Sequence, residues 1–503
     1  MVSITKKINS ILIVGGGTSG WMTAAALSHH FQKSNVSITL VESSQLGTIG
    51  VGEATIPTLR RFYQKLGLTD LDVLKATSAT CKLGIEFKDW YKPGSSFIHP
   101  FGLFGQGTQQ VDFHHYWLRA KQHGDSSELA DYSLGVSLAQ QNKFKLPAQK
   151  PKSQLEVFDW ALHFDAAKFA ELMRDYAQNH GVKLIDDKII DVDLNSVGEI
   201  DSVTLESKGH ISADLFIDCS GFKGLLINQT LKTEYIDWSQ WLVCDRAVAV
   251  QSKSVSEPLA RTVAQAHGAG WQWKIPLQHR TGNGHVYSSQ YISEDEATTI
   301  LLENVEGELL QDPRHFSFVP GRREKAWNKN CIAVGLSSGF LEPLESTSIA
   351  LVETAIEKII LSLPKPEYSN KEVARFNEVT ALEYERVRDF IILHYKATQR
   401  DDSPMWRYCQ NMAIPKTLEE KYSRYKECGD ILRYPWDIFG KDSWLAIFSG
   451  FHIFPNTYNS QAENMPLEYL QQNLSYMKKR VAEQMESAES HTEFLRVNCK
   501  IDI

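Results

Sequence analysis

The sequence predicts an α/β fold on three observations. An apolar β-branched run, Ile11-Leu12-Ile13-Val14, passes through a glycine turn into a helical segment, Trp21-Met22-Thr23-Ala24-Ala25-Ala26-Leu27. A second strand, Val36 to Glu42, follows it. Strand-to-glycine turns then return at Leu215 to Gly224 and at Cys331 to Gly339. With 503 residues the chain can bury a large core, and length alone allows roughly two or three domains.

The first turn reads as a dinucleotide-binding start. Gly15 lets the chain turn, Gly17 lets backbone N–H groups approach a pyrophosphate, and Gly20 lets the helix lie close to its strand. Glu42 stands about 20 residues past the last glycine, where a ribose hydroxyl partner belongs. Bulk properties agree with small-molecule partners. A formal net charge of -8 argues against a nucleic-acid binder, because phosphate binding needs clustered Lys and Arg. The N-terminal MVSITKKINS runs into the strand without the apolar segment and cleavage site of a signal peptide, and no apolar run reaches the roughly 18 residues of a membrane span. Seven scattered cysteines show no CxxC, so the expected setting is reduced and cytoplasmic. The histidines show no ligand spacing, His114-His115 reads as a surface or packing pair, and no metal is expected.

Along the chain, Leu46 to Pro57 is a glycine-rich loop too long to be only a turn, and its small residues suit a strap laid on a ligand. Leu59 to Leu66 has helical spacing, Lys82 to Trp90 alternates like a strand, and Phe97 to Phe104 is rich in aromatics. Residues 110 to 160 read as irregular, with a polar surface excursion from Gln140 to Ser153. Asp165 is the expected N-cap of a helix reaching about His180, with Gly181 as its stop. Strands are expected at Val182 to Ile190, Asp201 to Glu206 and Leu215 to Ile217, the last ending at Asp218. Residues 240 to 290 alternate as an antiparallel substrate sheet would. After the third return a helix is predicted over Ile349 to Ser362, and the remainder is mostly helical. The last irregular aromatic stretch runs from Tyr434 to Phe454, and the final element expected is an amphipathic helix, Leu467 to Glu486. No internal repeat or low-complexity linker separates modules, so the substrate part is interleaved with the nucleotide part.

Three strand-to-glycine returns exceed what a nicotinamide site needs and suit FAD, whose pyrophosphate, ribose and ring all require contacts. The expected contacts are Gly15, Gly17, Thr18, Ser19, Gly20, Glu42, Val51, Ala54, Gly221, Gly335 and Leu336.

Gly270-Trp-Gln-Trp-Lys-Ile-Pro276 is similar to the WxWxIP signature of flavin-dependent halogenases, the tryptophan halogenase family. The start GGGTSGW, the strap VGEAT and the loop GFLEPLEST resemble that family too, so the likeness runs from Ile11 to about Phe454. The resemblance implies a Rossmann-like FAD-binding fold of the flavin monooxygenase (GR2) type, with an interleaved substrate module and a mostly helical C-terminal part. The corresponding division is an FAD core over residues 1–100 and 155–365, carrying the antiparallel sheet, and a substrate-covering module over 100–155 and 366–503. It also implies reduced flavin (FADH2) from a separate, transient reductase, O2, and chloride or bromide converted to hypohalous acid. No nucleic-acid or membrane partner is implied, and relatives are often homodimers.

The family's catalytic lysine falls on Lys82, in Cys81-Lys-Leu-Gly84. A lysine in a dry tunnel can hydrogen-bond the hypohalous acid or become a haloamine, and burial favours its neutral form. The family's catalytic glutamate falls on Glu345; beside a ring under electrophilic attack, a carboxylate stabilises positive charge and accepts the departing proton. Glu342 lies outside this match and reads as structural. Thr347 and Ser348 match the halide site, with Ser348 where the family usually has Gly. Trp271 and Trp273 match the tryptophans near substrate and tunnel, and His99 and Phe101 match a pair that sandwiches the substrate ring. Tryptophan-specific members hold the amino acid with a Tyr-Tyr pair and a Glu before the last aromatic segment. Here Glu427 to Phe439 contains no Tyr-Tyr, which implies a substrate other than free tryptophan: an indole, another electron-rich aromatic, or a larger or carrier-linked molecule.

Two rival readings stay open on these residues. A flavin-dependent aromatic monooxygenase would share the cofactor motifs without needing Lys82, Glu345 and the paired tryptophans. A non-catalytic flavin-binding protein would bind FAD and give no halide-dependent product. A nicotinamide-dependent dehydrogenase is disfavoured, because a second complete glycine fingerprint is missing.

Overall fold

The computed structural model describes residues 5–45 and 52–499. The chain divides into two compact units, each assembled from separated segments. The first takes the chain up to Ser78, Phe164–Asp245 and Ser317–Glu385; the second takes Ala79–His163, Arg246–Phe316 and the chain from Arg386 onward.

The first unit is built on a six-stranded sheet in the order Lys183–Asp186, Ser37–Glu42, Ser10–Val14, Leu215–Asp218, Cys331–Ala333, Trp327–Asn328. The first five strands are parallel, and the edge strand Trp327–Asn328 is antiparallel to its neighbour. A parallel sheet covered on both faces wants continuous apolar strands, and Ile11 to Val14 are buried to a residue. The helix Thr18–Phe31 lies beside the helices Ala166–Asn179 and Ser348–Ser362 and is buried along most of its length. The Asp165 carboxylate caps Ala166–Asn179 by accepting from the N–H groups of Ala167 and Lys168 at 3.0 and 3.3 Å, as expected.

The second unit carries a larger sheet. Six of its strands run in the order Arg246–Lys253, Arg280–Tyr287, Gly270–Pro276, Thr262–His267, Gly84–Lys88, Ser96–Pro100. The predicted strands of residues 240 to 290 pair antiparallel, but Thr262–His267 runs parallel to Gly84–Lys88, so the sheet is mixed. The helices Asn370–Lys396, Lys416–Cys428 and Leu467–Glu486 confirm the mostly helical C-terminal part.

Four local expectations are corrected. Lys82 to Trp90 is two strands, Thr80–Lys82 and Gly84–Lys88. Leu83 changes partners between them, donating its N–H to Ala260 O and accepting from Phe101 N, both at 2.8 Å. Residues 110 to 160 are not irregular throughout, for they hold the helices Phe113–Gln122 and Leu134–Gln140. Phe113 to Ala120 are all buried, so no polar face marks the helical period. The stretch Tyr434 to Phe454 contains the helix Lys441–Gly450, which starts at Gly440 without a side-chain cap and buries Trp444 to Phe448 in succession. Beyond Glu486 the chain forms a further helix, His491–Cys499. No helix among the described residues is long and apolar enough to cross a membrane.

Candidate functional site

In the first unit the three glycine returns meet at the ends of the parallel strands. Gly15 donates its N–H to Val41 O and Cys219 donates to Val14 O, both at 2.8 Å, and Val334 donates to Asp218 O at 3.0 Å. A β-carbon on Gly20 would stand 1.9 Å from the Gly15 carbonyl oxygen, so only glycine lets the helix start this close to its strand. Gly335, at φ +74°, faces Ser19 in the same way, its absent β-carbon 3.0 Å from Ser19 Cβ. Leu336 follows it, half-buried. Gly221 turns the second return at φ +70°.

Gly17 is the N-cap of Thr18–Phe31. Among the described residues no side chain caps it, the first turn holds no acidic residue, and nothing lies within 4 Å of where its β-carbon would be. An open helix N-terminus of this kind is a seat for phosphate, so these residues fit a dinucleotide. Thr18 Oγ1 donates outward to Ala166 O at 3.4 Å. The Glu42 carboxylate folds over the glycine turn and accepts from Trp21 Nε1 at 3.2 Å. Burial raises its pKa, against that hydrogen bond. Gly16, which the sequence reading passed over, leaves room for this carboxylate, whose Oε2 lies 1.5 Å from where a β-carbon would sit. Ala54 is buried on the strand Gly52–Ala54. Val51 lies outside the described residues.

The third return ends in the short helical turn Pro343–Glu345. Glu345 is 1 % exposed. Ser346 follows in the left-handed region at φ +59° and redirects the chain into the helix Ser348–Ser362. Thr347 is the N-cap; its buried Oγ1 has no hydrogen-bond partner among the described residues, and no side chain caps the helix. An uncapped N-terminus beside a buried hydroxyl suits a small anion.

In the second unit Lys82 is fully buried, its Nζ 5.2 Å from the centroid of the Phe101 ring. His99, 1 % exposed, lies edge-on to Phe101 at 6.5 Å and to Phe390 at 5.7 Å. Phe390 stacks on Phe439 at 3.8 Å. The structure thus brings Lys82, Phe101 and His99 together, and it adds Phe390 and Phe439, which the sequence reading did not single out. Their contact is made across the helix Asn370–Lys396 and a loop, and no spacing rule links them.

Trp271 and Trp273 point to one face of Gly270–Pro276, as alternation requires, with ring centroids 6.1 Å apart. Trp271 lies 6.3 Å from Trp90, which in turn meets His394 at 6.2 Å, and His394 meets Phe390 at 5.3 Å. The paired tryptophans and the lysine therefore belong to one run of aromatic contacts. Trp273 lies flat across Gly284, its register partner on the neighbouring strand.

The helix Lys416–Cys428 stops at Gly429, in the left-handed region at φ +77°. The Gly429 carbonyl oxygen is 2.8 Å from His114 Nε2, and a β-carbon there would meet the His115 ring at 3.1 Å. His114-His115 is thus a buried packing pair, each ring 4 % exposed. Burial is the main cause that lowers both pKa values, that of His115 to about 4.

An open helix N-terminus served by three glycine returns of a parallel sheet defines the first unit as a dinucleotide-binding fold. The tryptophan halogenase family model matches residues 10–467. Tryptophan 6-halogenase SttH from Streptomyces toxytricini is 37% identical over 451 residues, covering 84% of this chain and 84% of that one. Among solved structures, BrvH, a flavin-dependent halogenase from Brevundimonas sp. BAL3, superposes with a TM-score of 0.95 at 49% identity, covering 98% of this chain and 99% of that one. Xcc4156, a flavin-dependent halogenase from Xanthomonas campestris, gives 0.94 at 39% identity with the same coverage. The chain belongs to the tryptophan halogenase family, and it is a flavin-dependent halogenase.

Proposed function

We propose that this halogenase places chloride or bromide on an electron-rich carbon of an indole-type aromatic, and not on free tryptophan. The observation that carries this reading is the juxtaposition of buried Lys82 with Phe101, and through it with His99, Phe390 and Phe439. Flat rings on this scale take an aromatic guest by stacking. The indole ring is suggested by relatives named as tryptophan halogenases. Against the free amino acid stands the stretch Glu427 to Phe439, which holds no Tyr-Tyr pair to grip its carboxylate and amine.

When bound, reduced FAD from a separate reductase would supply the two electrons that let O2 oxidise halide to hypohalous acid. The protein's own part begins with the glycine cradle at the N-terminus of Thr18–Phe31, which would hold the cofactor's pyrophosphate, as Glu42 would its ribose. The N–H groups at Thr347 and Ser348 hold the halide. Lys82 hydrogen-bonds the hypohalous acid, or carries its halogen, and presents it to the ring. Glu345 stabilises the cationic ring and accepts its proton. Dry walls around Lys82 keep water from competing for the electrophile. The expected setting is cytoplasmic, with a homodimer as the assembly.

The test is mass spectrometry of reactions containing a flavin reductase, NADH, FAD, O2, bromide or chloride, and either indole or tryptophan. A halogen isotope pattern on indole with little on tryptophan is expected. Preference for tryptophan overturns the substrate, and a hydroxylated product restores the monooxygenase.

A further inference from the structure

Lys82 ends a strand of only three residues, paired through Thr80↔His163, Cys81↔Leu162 and Lys82↔Ala161. So short a strand needs further support to aim a side chain, and the support comes from far along the chain. The Cys81 N–H donates to His491 Nε2 at 3.1 Å. His491 Nδ1 lies 2.9 Å from Pro258 O, so Nδ1 carries the proton and Nε2 is left as acceptor. On the other side of the lysine, the Leu83 N–H donates to Ala260 O at 2.8 Å.

These two anchors are one assembly. The His491 N–H donates to Asn142 O at 2.9 Å, Asn142 Nδ2 donates to Pro258 O at 3.3 Å, and Asn142 Oδ1 accepts from Ala260 N at 2.8 Å. The residues before and after Lys82 are therefore both held by His491, Asn142 and the segment Pro258–Ala260. A second histidine holds Thr80. Thr80 Oγ1 donates to Pro276 O at 2.7 Å, so it accepts from His163 Nδ1 at 3.0 Å, while His163 Nε2 accepts from Thr262 Oγ1 at 2.8 Å. Both histidines are fully buried. Burial pushes the His491 pKa down to about 4 and that of His163 well below its ordinary value. Each therefore stays neutral near pH 7 and keeps the acceptor its partner needs.

We infer that His491, on the C-terminal helix His491–Cys499, is a positioning residue for Lys82, aiming the lysine by accepting the Cys81 N–H. The inference rests on the reading of Lys82 as the halogen-carrying lysine. A mis-aimed reactive group costs about 100-fold in rate, and the loss falls on ring halogenation alone.

The experiment compares wild type, His491→Leu, His491→Gln and Lys82→Ala, with bromide, reductase and indole. It follows brominated indole, hypobromous acid captured by a soluble trap, and FAD affinity. For His491→Leu, kcat for ring bromination falls about 100-fold while KM for indole, FAD affinity and trapped hypobromous acid hold. His491→Gln, whose Oε1 can accept the Cys81 N–H, recovers most of the rate. Wild-type bromination by His491→Leu beside an inactive Lys82→Ala overturns the positioning role alone. Equal loss of FAD affinity, trapped acid and bromination in both His491 variants makes the residue a mere fold anchor and overturns it as well. Bromination retained by Lys82→Ala overturns the lysine reading itself.

Discussion

The Phe101 ring centroid stands 5.2 Å from Lys82 Nζ, and the same ring meets His99 edge-on at 6.5 Å. Replacing it by Phe101→Ala removes a stacking surface worth about 0.5–1.5 kcal/mol beyond its buried area. The expected result is a drop of about tenfold in kcat/KM for indole, with FAD affinity unchanged. An unaltered kcat/KM would take Phe101 out of the substrate site.

Trp273 and Gly284 are register partners, and a β-carbon on Gly284 would sit 2.0 Å from Trp273 Cζ2. Gly284→Ala therefore forces the indole off its bed. Overpacking of this kind costs about 1–3 kcal/mol. Thermal denaturation should show the lower Tm, and halogenation should fall further than stability does.

Lys421 and Asp437 form a buried pair, Nζ to Oδ2 at 2.6 Å, each side chain 2 % exposed. The lysine lies 4.3 Å from the Trp444 ring centroid, beneath the Phe390 side of the aromatic run. Asp437→Ala leaves the ammonium buried without its carboxylate, a loss of about 3–5 kcal/mol. Chemical denaturation measures it, and a change below about 1 kcal/mol would mean the pair is solvated.

Glu353, on the helix that begins at Ser348, is raised to about 8, chiefly by burial and secondarily by Glu357, with Thr58 and Lys65 opposing. Folded, it keeps its proton up to about pH 8, while unfolded it ionises near 4.5. Between those values the folded state binds more protons, so stability falls as pH rises, by about 1.4 kcal/mol per unit. Glu353→Gln cannot ionise. Its Tm advantage over wild type should grow from pH 5 to pH 8 and then level off; a constant difference would contradict the shift.

The nucleotide half was legible because its rules are local. Ile11 to Val14 must be apolar on both faces, and Gly15 and Gly20 stand where a turn and a 1.9 Å approach admit nothing larger. Lys82, Glu345 and the paired tryptophans were visible only through resemblance, since no periodicity distinguishes a buried catalytic lysine from one at a strand end. What escaped depends on distant contacts. Phe113–Gln122 is buried all round and so lacks an amphipathic signal. Phe390 and Phe439 acquire meaning only once the fold sets them beside His99. His491 acts on Cys81 from the other end of the chain, and nothing near either residue announces it.

The most direct test of the central claim is isotope-resolved mass spectrometry of indole treated with wild type and with Lys82→Ala, each supplied with reductase, NADH, FAD, O2 and bromide. A bromine doublet on indole from wild type, lost in Lys82→Ala although FAD still binds and trapped hypobromous acid persists, is the predicted result. Equal brominated indole from both proteins would contradict it, and would leave free hypobromous acid as the brominating agent.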